Sequence, residues 1–263
     1  MVEGWLFLGN PGVGKSTLLN CLAQRAVFPS GVSYGGGLTM DVQTCVDYRR
    51  DVVYTDTPGL ADRTAERVAA DAITRALRSC GPRVKLCFVV QLQYGRIVSQ
   101  DLVTMERVLD SIHVPDVPFG IIVNCVSADA CKTLSSDDAA FRRVVTLVNS
   151  GKYTTPHVLL VPEFPALVDE DNKFVELPPI VRERIEQIPT ARVPRDAVTP
   201  IYVEGFESSV NMLQRTVSIL EKDDSAMAKA QEKLAQTKRE FWKTAAKGML
   251  VLGKIVLLLV VLI

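Results

Sequence analysis

The chain has 263 residues with 48% apolar content, enough for one sizeable core and an appendage. Lys plus Arg equals Asp plus Glu at 30 each, so no global charge bias points to nucleic acid or to an acidic substrate. The six cysteines, at 21, 45, 80, 87, 125 and 131, form no C-x-x-C pair, and the two histidines, His113 and His157, stand apart. That pattern argues against a disulfide framework or a Cys/His metal site and reads as reduced thiols in a cytosolic chain.

The first residues already read as a strand, with the apolar run 5–8, so no secretory leader is expected. The run leads directly into Gly9-Asn10-Pro11-Gly12-Val13-Gly14-Lys15-Ser16, then Thr17 and a helical pattern over 18–26. The stretch fits G-x-x-x-x-G-K-[ST] at every fixed position, in the strand-to-helix context that the motif needs. Glycines let consecutive backbone N–H groups turn into one concavity, and the helix N-terminus adds its positive end there. Lys15 is expected to reach the β- and γ-phosphates of a bound nucleotide, and Ser16 to supply a hydroxyl to Mg²⁺.

A polar passage over 28–38, containing Gly35-Gly36-Gly37, reads as a loop ending at Thr39. Nucleotide switches place a threonine in such a loop to close on the γ-phosphate and metal, so Thr39 is the first candidate and Thr44 the second. Residues 43–48 alternate weakly, and 51–55 read as a strand running into Asp56-Thr57-Pro58-Gly59. Asp56 is positioned to hold the Mg²⁺ shell, and the Gly59 N–H to approach the γ-phosphate.

Further along, 63–79 reads as a helix with an apolar stripe of Val68, Ala72, Ile73, Ala76 and Leu77, capped by Asp62. The run 84–92 is a long, mainly apolar stretch, as in a strand buried on both faces. Ser99 is expected to cap a helix over 100–112, and strands follow at 119–123 and 158–161. This rhythm predicts an α/β fold: a P-loop NTPase three-layer sandwich with a doubly wound, mostly parallel sheet.

Three stretches resemble the AIG1-type (GIMAP-like) GTPases, relatives of the septins and of the plastid-import receptor GTPases. They are the P-loop, the segment Asp56-Thr57-Pro58-Gly59-Leu60, and the strand, Gly95-Arg96 and Ser99-Gln100-Asp101 box over 89–101. The resemblance covers about residues 3–220 and implies that the nucleotide is GTP or GDP with Mg²⁺. It assigns nucleotide contacts to Gly9, Asn10, Pro11, Gly12, Val13, Gly14, Lys15, Ser16, Thr17, Thr39, Asp56, Gly59 and Asn124, with Ser16, Thr39 and Asp56 on the metal. Asn124 takes the first position of the guanine-reading stretch, but Ser127 stands where an Asp accepts the guanine N–H groups, and Asp129 falls two residues late. Two readings stay open: Asp129 reaches the base from a shifted loop, or selectivity for guanine is weak. Leu60 sits where some fast GTPases carry a water-positioning Gln, which implies slow hydrolysis. The family's pairing across nucleotide faces implies a homodimer or oligomer, with Arg63 and Arg96 as candidate donors in trans.

Past 162 the chain is proline-rich, with a short helix expected over 179–187 and a last domain helix over 206–221. From 226 to 247 it turns to Ala, Lys, Glu and Gln, which predicts a solvated helical stalk. The apolar run 248–263, broken only by Lys254 among charged residues, predicts a C-terminal membrane anchor. Lys238, Arg239, Lys243 and Lys247 just before it predict a cytosol-facing domain. The expected organisation is a GTPase domain over 1–222, a stalk over 223–247 and an anchor over 248–263.

Overall fold

The computed structural model describes residues 2–31, 38–61, 65–167 and 171–249. Strand β1 (Glu3–Leu8) feeds α1 (Lys15–Ala23), and β2 (Gln43–Asp47), β3 (Val52–Asp56), α2 (Glu66–Ser79), β4 (Val84–Gln93) and the two-residue β5 (Arg96–Ile97) follow. Then come α3 (Ser99–Asp110), β6 (Gly120–Val126), α4 (Ala128–Ser136), α5 (Asp138–Val148), β7 (Val158–Pro162), α6 (Pro179–Glu186), α7 (Phe206–Lys222) and α8 (Asp224–Met249).

The strands lie in the order β2-β3-β1-β4-β6-β7, with β5 paired to β4. Pairings β1–β3, β1–β4, β4–β6 and β6–β7 are parallel, whereas β2–β3 and β4–β5 are antiparallel. Along β1, Leu6 and Leu8 enter one apolar cluster while Trp5 and Phe7 enter the other; along β4, Leu86, Phe88 and Val90 oppose Cys87 and Val89. Such strands are apolar along most of their length, because both faces are covered. Leu18, Leu19 and Leu22 of α1 with Val181 and Ile185 of α6 cover one face; α2, α3, α5 and α7 cover the other. The expected three-layer sandwich is therefore present.

Several expectations need correction. The first helix stops at Ala23 rather than at 26, because Gln24 turns left-handed (φ 53°) and its N–H returns to the Asn20 carbonyl. Helix α2 starts at Glu66, with Ala65 at its cap position; Asp62 and Arg63 lie outside the described residues, as does the Gly35-Gly36-Gly37 stretch. Val68, expected on the buried stripe, is 59% exposed, since the face turned inward carries Ala69, Ala70 and Ile73. Ser99 is the first residue of α3, and Val98 holds the cap position without a side-chain bond.

Helices α4 and α5 were not anticipated. Ser127 caps α4 by accepting the Ala130 N–H, and Asp137 closes α4 and caps α5 by accepting from Ala139 and Ala140. Asp223 repeats the device: its own N–H bonds the Ile219 carbonyl at the end of α7, and its carboxylate accepts from Ser225 and Ala226 at the start of α8. The α8 helix is not wholly a solvated stalk, because Met227 is buried and Ala226 and Ala230 pack against the core. Among the described residues no helix is long and apolar enough to cross a membrane, and residues 250–263 of the expected anchor lie outside them.

Candidate functional site

The site forms where β1 ends between β3 and β4, the point at which the chain leaves the sheet in opposite directions and parallel sheets open a crevice. Gly14 caps α1 with φ 84°, and a Cβ there would stand 2.4 Å from the Asn124 Nδ2. Backbone sterics and a close neighbour thus both demand glycine. Asn124 is buried and donates Nδ2 to the Val13 carbonyl at 2.9 Å, so the end of β6 is tied to the P-loop. The adjoining Cys125 has φ 54°, and the β6–β7 register shifts between Val123 and Val126. This irregularity carries the strand beyond the expected end at 123.

Lys15 is 5% exposed and donates Nζ to the Gly9 and Asn10 carbonyls at 3.0 and 2.9 Å. Burial holds its ammonium below the usual lysine range, against the opposing pull of Asp56 and Asp101. Asp56, fully buried, accepts on Oδ2 from Ser16 Oγ at 2.6 Å and from Thr39 Oγ1 at 3.1 Å, and the two hydroxyls lie 3.3 Å apart. Burial raises the Asp56 carboxyl above its ordinary range, opposed by Lys15 and by those hydroxyls. The other oxygen, Oδ1, is buried and makes no hydrogen bond of normal geometry among the described residues. An orphaned buried carboxylate oxygen is costly, and hard oxygen donors gathered on one point suit a cation such as Mg²⁺. The three residues expected on the metal are therefore brought together, and they fit it.

The remaining expectations divide. Gly59 backs onto the P-loop, where a Cβ would lie 2.1 Å from Pro11 Cδ and 2.6 Å from the Asn10 carbonyl carbon. Thr44 is exposed on β2 in register with Thr55, so Thr39 is the threonine that the fold delivers. Ser127 spends its hydroxyl capping α4, and Asp129 stands exposed in the first turn of that helix. Leu60 is 0% exposed, in the apolar cluster that includes Leu8, Ile73 and Val90. Arg96 is exposed on β5, beyond a two-residue hairpin in which Tyr94 and Gly95 both take positive φ.

Sequence reasoning gave Asn10 a nucleotide contact in the loop and Asp101 only a place in a motif, and paired neither side chain with the other. Asn10 Nδ2 donates to Asp101 Oδ1 at 2.7 Å, and Asn10 Oδ1 accepts from Thr104 Oγ1 at 2.6 Å and from the Ala61 N–H at 3.2 Å. Asp101 Oδ2 accepts from the Gln91 N–H at 3.1 Å. Burial pushes the Asp101 carboxyl up to about 6, against the pull of those hydrogen bonds and of Lys15.

Residues 5–124 match the model of a family described as 50S ribosome-binding GTPase, a span of less than half of the chain. That match coincides with the P-loop, Asp56 and Asn124, and it supports a P-loop GTPase domain in this part of the chain. No curated protein matches it. Among solved structures, NFeoB from S. thermophilus bound to GDP·AlF4⁻ and K⁺ is similar at 13% identity, with 91% of each chain covered and a TM-score of 0.43. Era from Aquifex aeolicus bound to GDP·AlF4⁻ is similar at 18% identity, over 79% of this chain and 64% of that one, with a TM-score of 0.46. Likeness at this level carries no inference about function.

Proposed function

We propose that the chain is an AIG1-like, slowly hydrolysing GTPase that binds GTP with Mg²⁺ and works as a switch or assembly module on a cytosol-facing membrane. The observation that carries this reading is the oxygen cluster of Ser16, Thr39 and Asp56, whose Asp56 Oδ1 has no hydrogen-bond partner among the described residues, set beside the buried Lys15. In this reading the P-loop N–H groups and Lys15 hold the phosphates, and Ser16, Thr39 and Asp56 hold the cation. When bound, Mg²⁺ offsets the charge that builds on the phosphate oxygens. Gly59, lying on Pro11, offers its N–H to the γ-phosphate, and Asn124 keeps the base-side strand fixed to the P-loop.

The expectation of slow turnover rests on Leu60, whose buried apolar side chain cannot orient a water. Membrane attachment rests on the apolar run 248–263 and the basic residues before it. Equilibrium titration with GTP, GDP and ATP analogues in Mg²⁺ tests the assignment: Lys15→Ala is expected to weaken binding about a hundredfold or more. Unaltered affinity sinks it. Flotation with phosphatidylcholine vesicles tests the anchor, which is expected to carry the full chain but not a chain ending at Lys247.

A second reading, a scaffold that holds the nucleotide without useful turnover, is favoured by the same Leu60 and by Ser127 in place of a base-reading Asp. Phosphate release under saturating GTP, with and without vesicles, separates the two: release that membranes stimulate marks a switch, and none in either condition marks a scaffold.

A further inference from the structure

The Asn10 carboxamide can be oriented in two ways, and its neighbours allow one. In the observed orientation Nδ2 meets a carboxylate, and Oδ1 meets a hydroxyl and a backbone N–H. The reverse would set Oδ1 against the Asp101 carboxylate and the NH₂ group against the Ala61 N–H. Asp101 is itself fixed: it is 4% exposed and held on its second oxygen by the Gln91 N–H. Ala61 lies two residues beyond Gly59, and Gly59 rests on Pro11 and Asn10. Asn10 is thus the clasp between the phosphate loop and the segment 59–61, and α3 holds the clasp through Asp101 and Thr104.

We propose that Asp101 is a positioning residue that makes the seating of segment 59–61 on the phosphate loop, and hence the preference for a nucleoside triphosphate over a diphosphate, depend on α3. The inference rests on the nucleotide reading above. If Gly59 meets the γ-phosphate, the Ala61-to-Asn10 bond contributes to the triphosphate state and little to the diphosphate state. A carboxylate that holds the amide in its accepting orientation strengthens that bond. Because α3 packs on α7, and α7 on α8, release of the clasp is also felt along the C-terminal helices.

The test uses the full chain with Asp101→Asn, which keeps the shape but must turn an NH₂ group toward either Asn10 Nδ2 or the Gln91 N–H. Dissociation constants for GDP and for a non-hydrolysable GTP analogue are measured in Mg²⁺, with amide hydrogen exchange at Ala61 and along α3. The expected result is GDP affinity within about twofold of the wild type and analogue affinity lower by about fivefold, the effect of one hydrogen bond. In the wild type, exchanging GDP for the analogue is expected to slow exchange at Ala61 and in α3 together; in the variant α3 no longer responds. Thr104→Val, which removes the hydroxyl that Asn10 Oδ1 accepts from, is expected to show the same selective loss in smaller measure. Equal weakening of both nucleotides in both variants, or an unchanged ratio, overturns the inference alone. A wild-type chain that binds neither nucleotide overturns the nucleotide reading and this inference with it.

Discussion

Replacing Leu60 by Gln is the substitution that a reader of the sequence would choose to speed hydrolysis, and the structure predicts that it fails. Leu60 is fully buried in an apolar cluster, so its removal forfeits about 2 kcal/mol of apolar burial. A glutamine amide enclosed there without partners adds a penalty of about 1–3 kcal/mol. The sum is about 3–5 kcal/mol, which for a chain of this size lowers the melting temperature by about 10 °C. Thermal unfolding followed by circular dichroism, paired with single-turnover phosphate release, measures both quantities. The expected outcome is a destabilised protein with an unchanged or lower rate. A variant as stable as the wild type that hydrolyses GTP about tenfold faster would refute the placement of this side chain and the account of slow turnover built on it.

Two further outcomes follow from the buried carboxylates. Chelation of Mg²⁺ is expected to speed nucleotide release from the wild type at least about tenfold, equivalent to about 1.4 kcal/mol, and to leave Asp56→Asn unaffected; a variant that still responds to chelator argues against Asp56 as a metal residue. The Asp101 carboxyl, at about 6 in the fold against 3.8 ordinarily, binds its proton more tightly when folded. Its contribution to stability is therefore fully present below 3.8 and lost as pH rises through 6, by at most about 3 kcal/mol. His157, held down to about 4 from 6.5 by burial, runs the opposite way, its contribution being lost as pH falls through 4. The two partly cancel, so the measurement is the difference in urea midpoint between the wild type and Asp101→Asn from pH 4 to 7. A flat difference contradicts the burial of Asp101.

What the sequence revealed was local. The P-loop is a fixed spacing within eight residues, and each of its constraints comes from backbone geometry nearby. Asp56 was legible because an acidic residue ends an apolar strand, and Thr39 because a polar loop precedes that strand. The clasp was not legible: Asn10 and Asp101 are 91 residues apart, and neither side chain shows from the sequence which partner it faces. Helix α4 escaped because its inward stripe is short, with Leu134 its only fully buried side chain and the small Ala130 and Cys131 beside it. Leu60 could be placed opposite a missing glutamine from the motif, but its burial depends on α2 and α3 closing over the sheet, which only the fold settles.

The single residue between α7 and α8 has a mechanical consequence. Asp223 ends one helix and begins the next with no intervening loop, so α8 is hinged at a point rather than on a tether. Its 26 residues make a lever about 39 Å long, gripped by the domain near its first turns. A tilt of about 10° at that pivot sweeps the Met249 end through about 7 Å at this length. Small rearrangements where α7 meets α3 are therefore magnified at the far end of the helix.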